Sequence, residues 1–314
     1  MIRKANKIAA FAIMLSLYQL SSAEDVINPR LSLVPGENYI CSMEMSKRIK
    51  QTIGGTEQIM DQNLNIVWDY GILSKNDAGD FEISAKFSRI RSFQKFGFQT
   101  VEFDSDDTSE YIDPSMTGYK ILIGSELKLQ VNPEGKVRSL SGFEEIIDKI
   151  VENLKIPESP QRDEIIKGFR NQFGDEAMRQ SFEQMTVFYP GHPVSIGDSW
   201  HNYFTMDVGF PMVVESDYTL TSRENGIANI NVESVLRFNQ NSRGIDMGAF
   251  SLIYDIAGKQ KGSIKLDEAS GLPVRLEIDH DFSGTVSVSE APDLEDRSWP
   301  ISADGKIVIS FEKR

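Results

Sequence analysis

Helical periodicity is concentrated in residues 141–187, which read SGFEEIIDKIVENLKIPESPQRDEIIKGFRNQFGDEAMRQSFEQMTV. Near the start of this stretch the apolar side chains recur every three or four positions, so they share one face of a helix. They are Phe143, Ile146, Ile147, Ile150, Val151 and Leu154. Ser141 can cap the first free amides of this helix, and Pro157 ends it because proline has no amide hydrogen to donate.

Two further helices are predicted in the same block. One begins at Ser159, has Pro160 in its first turn and ends before Gly174, and the other spans residues 175–187. The polar faces of the three helices are acidic or mixed. Anionic lipid attracts basic faces, so a role at a membrane surface is disfavoured.

Two interpretations of this helical block, residues 141–187, are open. In the first, the block packs against a sheet as an ordinary core layer, which is the common use of an amphipathic helix. In the second, it forms a lid over a cavity, and the apolar face of the first helix contacts a ligand. The residues that would make this contact are Phe143, Ile146, Ile147 and Ile150.

The segments on either side of the block, residues 24–140 and 188–314, have the period-2 pattern of β-strands. In the first strand, Tyr39, Cys41 and Met43 share one face. Glycine, proline and asparagine mark the turns between such strands. We therefore predict a mainly β (α+β) fold, in which two arms of long curved antiparallel strands form a half-barrel with the helical block between them.

Two shorter segments complete the predicted arms. Residues 119–123 continue the strand pattern of the first arm. Residues 301–311 are predicted to form a closing hairpin with Asp304 and Gly305 in its turn, because Asp-Gly between apolar runs is a common hairpin signal.

The second arm repeats features of the first. The sequence GENY at residues 36–39 and the sequence GDSW at residues 197–200 share a glycine, an acid and an aromatic residue at the same spacing. Tyr39 and Trp200 are therefore expected at equivalent positions on the first strand of each arm, with both rings buried.

The amino terminus has the pattern of a signal peptide. Basic residues precede an apolar run that ends at Leu20, and small residues precede a cleavage site after Ala23. We therefore expect a soluble mature chain that begins at Glu24 and is secreted into the periplasm or outside a bacterial cell. No later stretch approaches the ~20 apolar residues that a membrane-spanning helix needs.

Charge and cysteine content exclude several classes of partner and bond. The formal net charge of −14 becomes more negative when the basic signal peptide is removed, so nucleic acid and other polyanions are disfavoured. The single cysteine excludes an intramolecular disulfide. Cys41 belongs with the core residues of its strand and has no basic neighbour in sequence that would activate the thiol.

Three motifs carry a resemblance to a family of uncharacterised secreted bacterial proteins. They are PGENY at residues 35–39, V-x-x-x-G-x-V at residues 131–137, and YPGHPVSIGDSW at residues 189–200. The resemblance covers most of the mature chain and implies structural motifs without catalytic residues. At the level of fold alone, the predicted half-barrel is also similar to periplasmic lipoprotein carriers, whose half-barrels hold acyl chains.

No pattern in the sequence identifies a catalytic or metal site. Histidine occurs only at positions 192, 201 and 280, and strand alternation places His280 with Ile278 and Phe282, opposite the two adjacent aspartates. The acidic residues between Asp104 and Asp113 could bind calcium, but they lack the glycine and terminal glutamate of an EF-hand loop, and a solvated loop is the alternative.

We expect a protein without catalytic residues, cofactor or metal. The first hypothesis is a binding or carrier protein for a hydrophobic or lipid-like ligand, because apolar strand faces occur without recognisable chemistry. The alternative is a structural or protein-interaction module of the cell envelope with a fully packed interior. A hydrolase is the third hypothesis, and it would require carboxylates or histidines clustered in a cleft.

Overall fold

The computed structural model describes residues 26–108, 113, 116–154, 166–167, 170, 174–184, 186, 188–206, 212–239, 245–246, 251–289 and 298–314. Its strands are β1 (Val26–Ile27), β2 (Asn38–Ile53), β3 (Thr56–Lys75), β4 (Phe81–Phe96), β5 (Gln99–Asp104), β6 (Glu126–Val131), β7 (Val137–Ser141), β8 (Val194–Ser195), β9 (Ser199–Met206), β10 (Met212–Glu224), β11 (Ile227–Phe238), β12 (Ile245–Asp246), β13 (Ser251–Asp267), β14 (Pro273–Ser289) and β15 (Ser298–Lys313). Its helices are α1 (Thr117–Leu122), α2 (Phe143–Leu154) and α3 (Asp175–Gln184).

One large antiparallel sheet dominates the molecule. Its strands follow the order β7-β6-β4-β3-β2-β15-β14-β13-β11-β10-β9, so that β7 and β9 form the two edges and the sheet is not closed. The predicted mainly β fold of long antiparallel strands is confirmed, and its open, half-barrel-like sheet agrees with the prediction. The predicted signal peptide and most of the second predicted helix lie outside the described residues.

The two arms meet in the middle of the sheet, where β2 pairs with β15. Each arm proceeds from neighbour to neighbour in the same direction, so the chain leaves the first arm at one edge, β7, and enters the second at the opposite edge, β9. The connection between the two edges carries α2 and α3, and α3 contacts both β7 and β9. The helices α2 and α3 therefore lie on the concave side of the sheet.

Tyr39 and Trp200 occupy the first long strand of their respective arms, and their rings are 5% and 6% exposed. The two strands have different surroundings, because β2 lies in the middle of the sheet and β9 at its edge. Trp200 is held from the helical side as well, since its Nε1 donates a hydrogen bond to the carbonyl oxygen of Phe188 at 2.8 Å.

Some glycines within the long strands lie where neighbouring strands approach very closely. A Cβ atom added at Gly262 would collide with the carbonyl oxygen of Glu277 on the adjacent strand. A Cβ atom added at Gly305 would collide with the carbonyl oxygen of Ser46 and with the ring of His280. Glycine at such points allows neighbouring backbones and side chains to approach closely, as at the corners of barrels.

The structure contradicts two of the strand predictions. Residues 119–123 are not a strand, because Thr117–Leu122 form the short helix α1, in which the Tyr119 ring stacks on Phe103 with centroids 5.9 Å apart. A short apolar run cannot distinguish strand from helix, and tertiary packing decided between them.

The predicted closing hairpin is also wrong, because residues 301–311 lie within the uninterrupted strand β15. Asp304 and Gly305 pair with β14 on one side and β2 on the other, so a turn there would break both ladders. Gly305 is needed at this position for the space that it leaves to His280 rather than for a turn.

One end of the half-barrel is packed by the amino-terminal segment. β1 pairs with β8, and further along the amide of Leu31 donates to the carbonyl oxygen of Pro133 at 2.7 Å. Cys41 belongs to the core at this end, where burial raises the pKa of its thiol. Within the described residues, no helix has the length and apolar content to cross a bilayer.

Candidate ligand cavity

A cavity of about 1110 Å³ lies between the concave face of the sheet and the helices. Side chains from β2, β3, β4, β9, β10, β11, β13, β14 and β15 form one wall, and side chains from all three helices form the other. Ligand pockets in proteins commonly measure ~300–1,000 Å³. This cavity is therefore large enough for a sizeable organic molecule.

The wall is predominantly apolar because the strands alternate with a period of two. On β2, Met43 and Met45 line the cavity, whereas Glu44 and Ser46 are exposed on the outer face. One apolar face and one solvated face are typical of antiparallel sheets. A wide apolar lumen therefore follows from an ordinary strand pattern once the sheet curves.

The apolar face of α2 forms part of the opposite wall. Phe143, Ile146, Ile147 and Ile150 all line the cavity, and the first three are buried. The amide of Phe143 donates a hydrogen bond to Oδ1 of Asp175 at 2.8 Å, so α2 is capped by the first residue of α3. Ser141 was the predicted cap of α2, and the structure has Asp175 in that role instead.

Replacing Ile147 with alanine tests how the wall contributes to stability. Ile147 is only 2% exposed but also borders the cavity, so we expect a loss of about 2–3 kcal/mol in the free energy of unfolding, at the lower end of the range for buried isoleucine. Urea denaturation measures this loss. The matched control is Glu152→Ala on the exposed face of α2, which should change stability by less than ~0.5 kcal/mol.

The same variant reports on binding. Uptake of an apolar fluorescent probe should change in Ile147→Ala and Ile150→Ala, because both side chains border the cavity. Uptake that equals the wild-type value in both variants would contradict a role of α2 in binding.

A row of eight polar residues and one glycine crosses the inner face of the sheet. We call this row the polar belt; its members, in strand order, are Asn202, Ser216, Ser234, Gln260, His280, Gly305, Lys47, Gln62 and Gln94. Each member is the direct cross-strand partner of the next. All except Gly305 and Gln62 are among the residues that line the cavity. The belt thus divides an apolar wall into two zones.

Lys47 and His280 are the titratable members of the belt. Burial lowers the pKa of the Lys47 ammonium, and burial followed by the nearby charge of Lys47 lowers the pKa of His280. The Nζ atom of Lys47 lies 5.8 Å from the centroid of the Phe282 ring. The Nδ1 atom of His280 is buried without a hydrogen-bond partner among the described residues.

The other two histidines lie outside the cavity wall. The ring of His192 contacts the carbonyl oxygen of Pro190 in an exposed turn, and His201 contacts Asp217 on the outer face of β9. In the described part of the chain, no group of three or more histidine, cysteine or acidic residues is placed to hold a metal ion.

Two residues of the acidic segment that could bind calcium contact arginine, and Glu110 lies outside the described residues. Asp104 accepts hydrogen bonds from the amide of Asp106 and from Nε of Arg91, and these contacts lower its pKa. Arg89 lies within ion-pair distance of Asp104 and Asp106. Two carboxylates of this segment are therefore already neutralised by arginine.

The structural class is that of an open antiparallel sheet. Helices cover its concave face and enclose an apolar lumen. The chain belongs to DUF6263, a family of unknown function, whose sequence model matches residues 78–273. The predicted membership of an uncharacterised family is confirmed.

Several solved structures are similar to this chain. A lipovitellin structure that concerns lipid–protein interactions matches 90% of the chain, with 8% sequence identity and a TM-score of 0.48, and the chain spans 25% of that lipovitellin chain. Pseudomonas aeruginosa OccK7 (OpdD) matches 89% of this chain and 100% of its own, with 8% identity and a TM-score of 0.21. The match with Pseudomonas aeruginosa OpdQ covers 88% of this chain and 98% of the OpdQ chain, with 7% identity and a TM-score of 0.18. No curated protein matches the sequence.

Proposed function

We propose that this protein is a non-catalytic binding or carrier protein for a hydrophobic, lipid-like molecule. The observation that carries the proposal is the cavity of about 1110 Å³, whose wall is predominantly apolar on the sheet side and on the helix side. A packed structural module would fill this space with its own side chains, since protein interiors are packed about as densely as organic crystals.

The energetics favour an aliphatic ligand. Each methylene group that leaves water for an apolar environment contributes about 0.8 kcal/mol. The lumen presents Met45, Leu64 and Ile307, among other apolar residues, to such a chain. A hydrolase would need clustered acidic or imidazole groups, and the described residues that line the cavity include no aspartate or glutamate and one histidine, His280.

Two measurements test the proposal. Native mass spectrometry of protein expressed with its leader and purified without detergent should show a co-purified apolar molecule. An uncharged naphthylamine probe should bind saturably, with a rise in fluorescence as it leaves water. Absence of a bound molecule, together with absence of probe binding, would reject the carrier and favour a packed envelope module.

We also propose that the protein acts outside the cytoplasm, because residues 1–23 have the features of a signal peptide. N-terminal sequencing of protein recovered from the periplasm or culture medium should begin at Glu24. Protein that carries Met1 in an envelope or medium fraction would contradict cleavage after Ala23.

A further inference from the structure

We propose that the polar belt is a headgroup site, and that the ligand of the cavity is an amphiphile with one anionic group on an aliphatic chain. The carboxylate of a free fatty acid and the phosphate of a monoester lipid share this chemistry. The inference rests on the proposed function and adds to it a class of ligand and the residues that recognise it.

The charge of the wall is the first argument. The protein is acidic, with a formal net charge of −14, yet Lys47 is the one residue with a formal charge among the described residues that line the cavity. No carboxylate in the described part of the chain lies within ion-pair distance of Lys47. A partly buried ammonium without a carboxylate carries a desolvation cost, which an anionic ligand would offset.

The convergence of Lys47 and His280 is the second argument. Gly305 lies between them in the register, with β14 on one side and β2 on the other. The His280 ring leans over Gly305, since a Cβ atom there would lie 2.7 Å from Nε2 of the ring. The Nζ atom of Lys47 lies over the Phe282 ring, and that ring stacks on His280 with centroids 6.0 Å apart. The glycine thus allows an ammonium and an imidazole to approach one point of the wall.

The hydrogen-bonding capacity of the belt is the third argument. The buried Nδ1 atom of His280 has no partner among the described residues, and buried polar groups in proteins are nearly always paired. Beside His280 in the register lies Gln260, whose amide can both donate and accept. Farther along the belt, the Oγ atoms of Ser216 and Ser234 form a hydrogen bond with each other at 2.8 Å. Lys47 and Gln260, which both line the cavity, are therefore the groups that offer hydrogen bonds to a headgroup.

The position of the belt explains why the ligand should also have a chain. The rows on either side of the belt are apolar. On β14, Ile278 lies on one side and Phe282 on the other, and on β2 the corresponding residues are Met45 and Ile49. A small hydrophilic anion would leave these rows in contact with water. An amphiphile places its charge at the belt and its methylene groups against the apolar rows.

Chain-matched competitors test the inference on the full-length mature protein. Dodecanoate, dodecyl phosphate, dodecanol and dodecylamine would each displace the uncharged naphthylamine probe, below their micelle concentrations. The wild type should bind the better of the two anions about tenfold or more tightly than dodecanol, as one charge-assisted hydrogen bond predicts. Whichever of dodecanoate and dodecyl phosphate binds more tightly identifies the chemistry of the headgroup.

Variants assign the effect to the belt. Lys47→Met should reduce the preference for anion over alcohol to within about twofold while retaining affinity for the uncharged probe. Lys47→Arg keeps the charge and should keep the preference. The matched control is Lys50→Met, which lies on the exposed face of the same strand and should leave all affinities unchanged. Circular dichroism verifies that each variant is folded, and if Lys47→Met does not fold, His280→Phe provides the second test, with a smaller loss of preference.

The outcomes separate the inference from the proposed function. If the uncharged probe binds but anions and dodecanol compete equally, or dodecylamine competes best, the headgroup site is overturned and the apolar carrier stands. An anion preference that survives Lys47→Met also overturns the assignment. If neither the probe nor any competitor binds, both the carrier and its headgroup site are rejected.

Discussion

Two tryptophans placed on the lumen wall, Met45→Trp together with Ile278→Trp, are expected to weaken binding of the apolar probe at least tenfold while the protein stays folded. Both native side chains line the cavity and are only partly buried. They belong to the same row of the sheet, with Ile307 between them. Because the rings would project into the lumen rather than into packed atoms, overpacking should be limited to about 1 kcal/mol in the free energy of unfolding.

A control on the opposite face isolates the effect of the lumen. Glu44→Trp together with Asp279→Trp adds the same two rings to the same two strands, but on their exposed faces. Probe titration should therefore give the wild-type affinity for the control and at least a tenfold weaker affinity for the lumen variant. Equal affinities in the two double variants would show that the probe binds elsewhere.

Replacing Trp200 with alanine is expected to lower the free energy of unfolding by about 3–5 kcal/mol. Trp200 is 6% exposed, stacks on its cross-strand partner Tyr218 with centroids 5.7 Å apart, and bonds to the carbonyl oxygen of Phe188. The substitution would thus leave a cavity at the edge strand β9 and an unpaired carbonyl in the connection from the helical block. Urea or thermal denaturation measures the loss.

Tyr203→Ala is the matched control for Trp200→Ala. Tyr203 is on the same strand but 58% exposed, so its removal should change stability by less than ~0.5 kcal/mol. A loss below ~1 kcal/mol in Trp200→Ala would mean that β9 is not held to the helical connection through this ring.

Local pattern was sufficient to predict most of the elements. The strand that carries Tyr39 follows from apolar residues at every second position, and the helix that carries Ile147 from apolar residues at every third or fourth. In each case burial on one face imposes the period. The pattern was insufficient at residues 119–123 and at Asp304-Gly305. In these segments the short-range signal fits two structures. Packing against Phe103 decided the first, and pairing with both β14 and β2 decided the second.

The apolar stripe of α2 could be identified as candidate wall from the sequence, but the polar belt could not. Each belt residue is unremarkable in its own strand, and an inward-facing Lys47 after Met45 is the strongest single signal. The belt exists only through the cross-strand register that aligns Lys47, Gly305 and His280. One of the two pairings, between Gly305 and Lys47, joins residues more than two hundred positions apart.

The sequence by itself determined which faces of the strands and of α2 are apolar, because alternation and helical spacing are local properties that burial selects. It also determined that the chain is acidic and has a single cysteine. Only the tertiary structure decided that the apolar faces surround a lumen instead of filling one another, since this depends on the curvature of the sheet and on the positions of α2 and α3 over its inner face. The same arrangement places the stripe of α2 around one cavity with Lys47 and His280, residues that no local pattern connects.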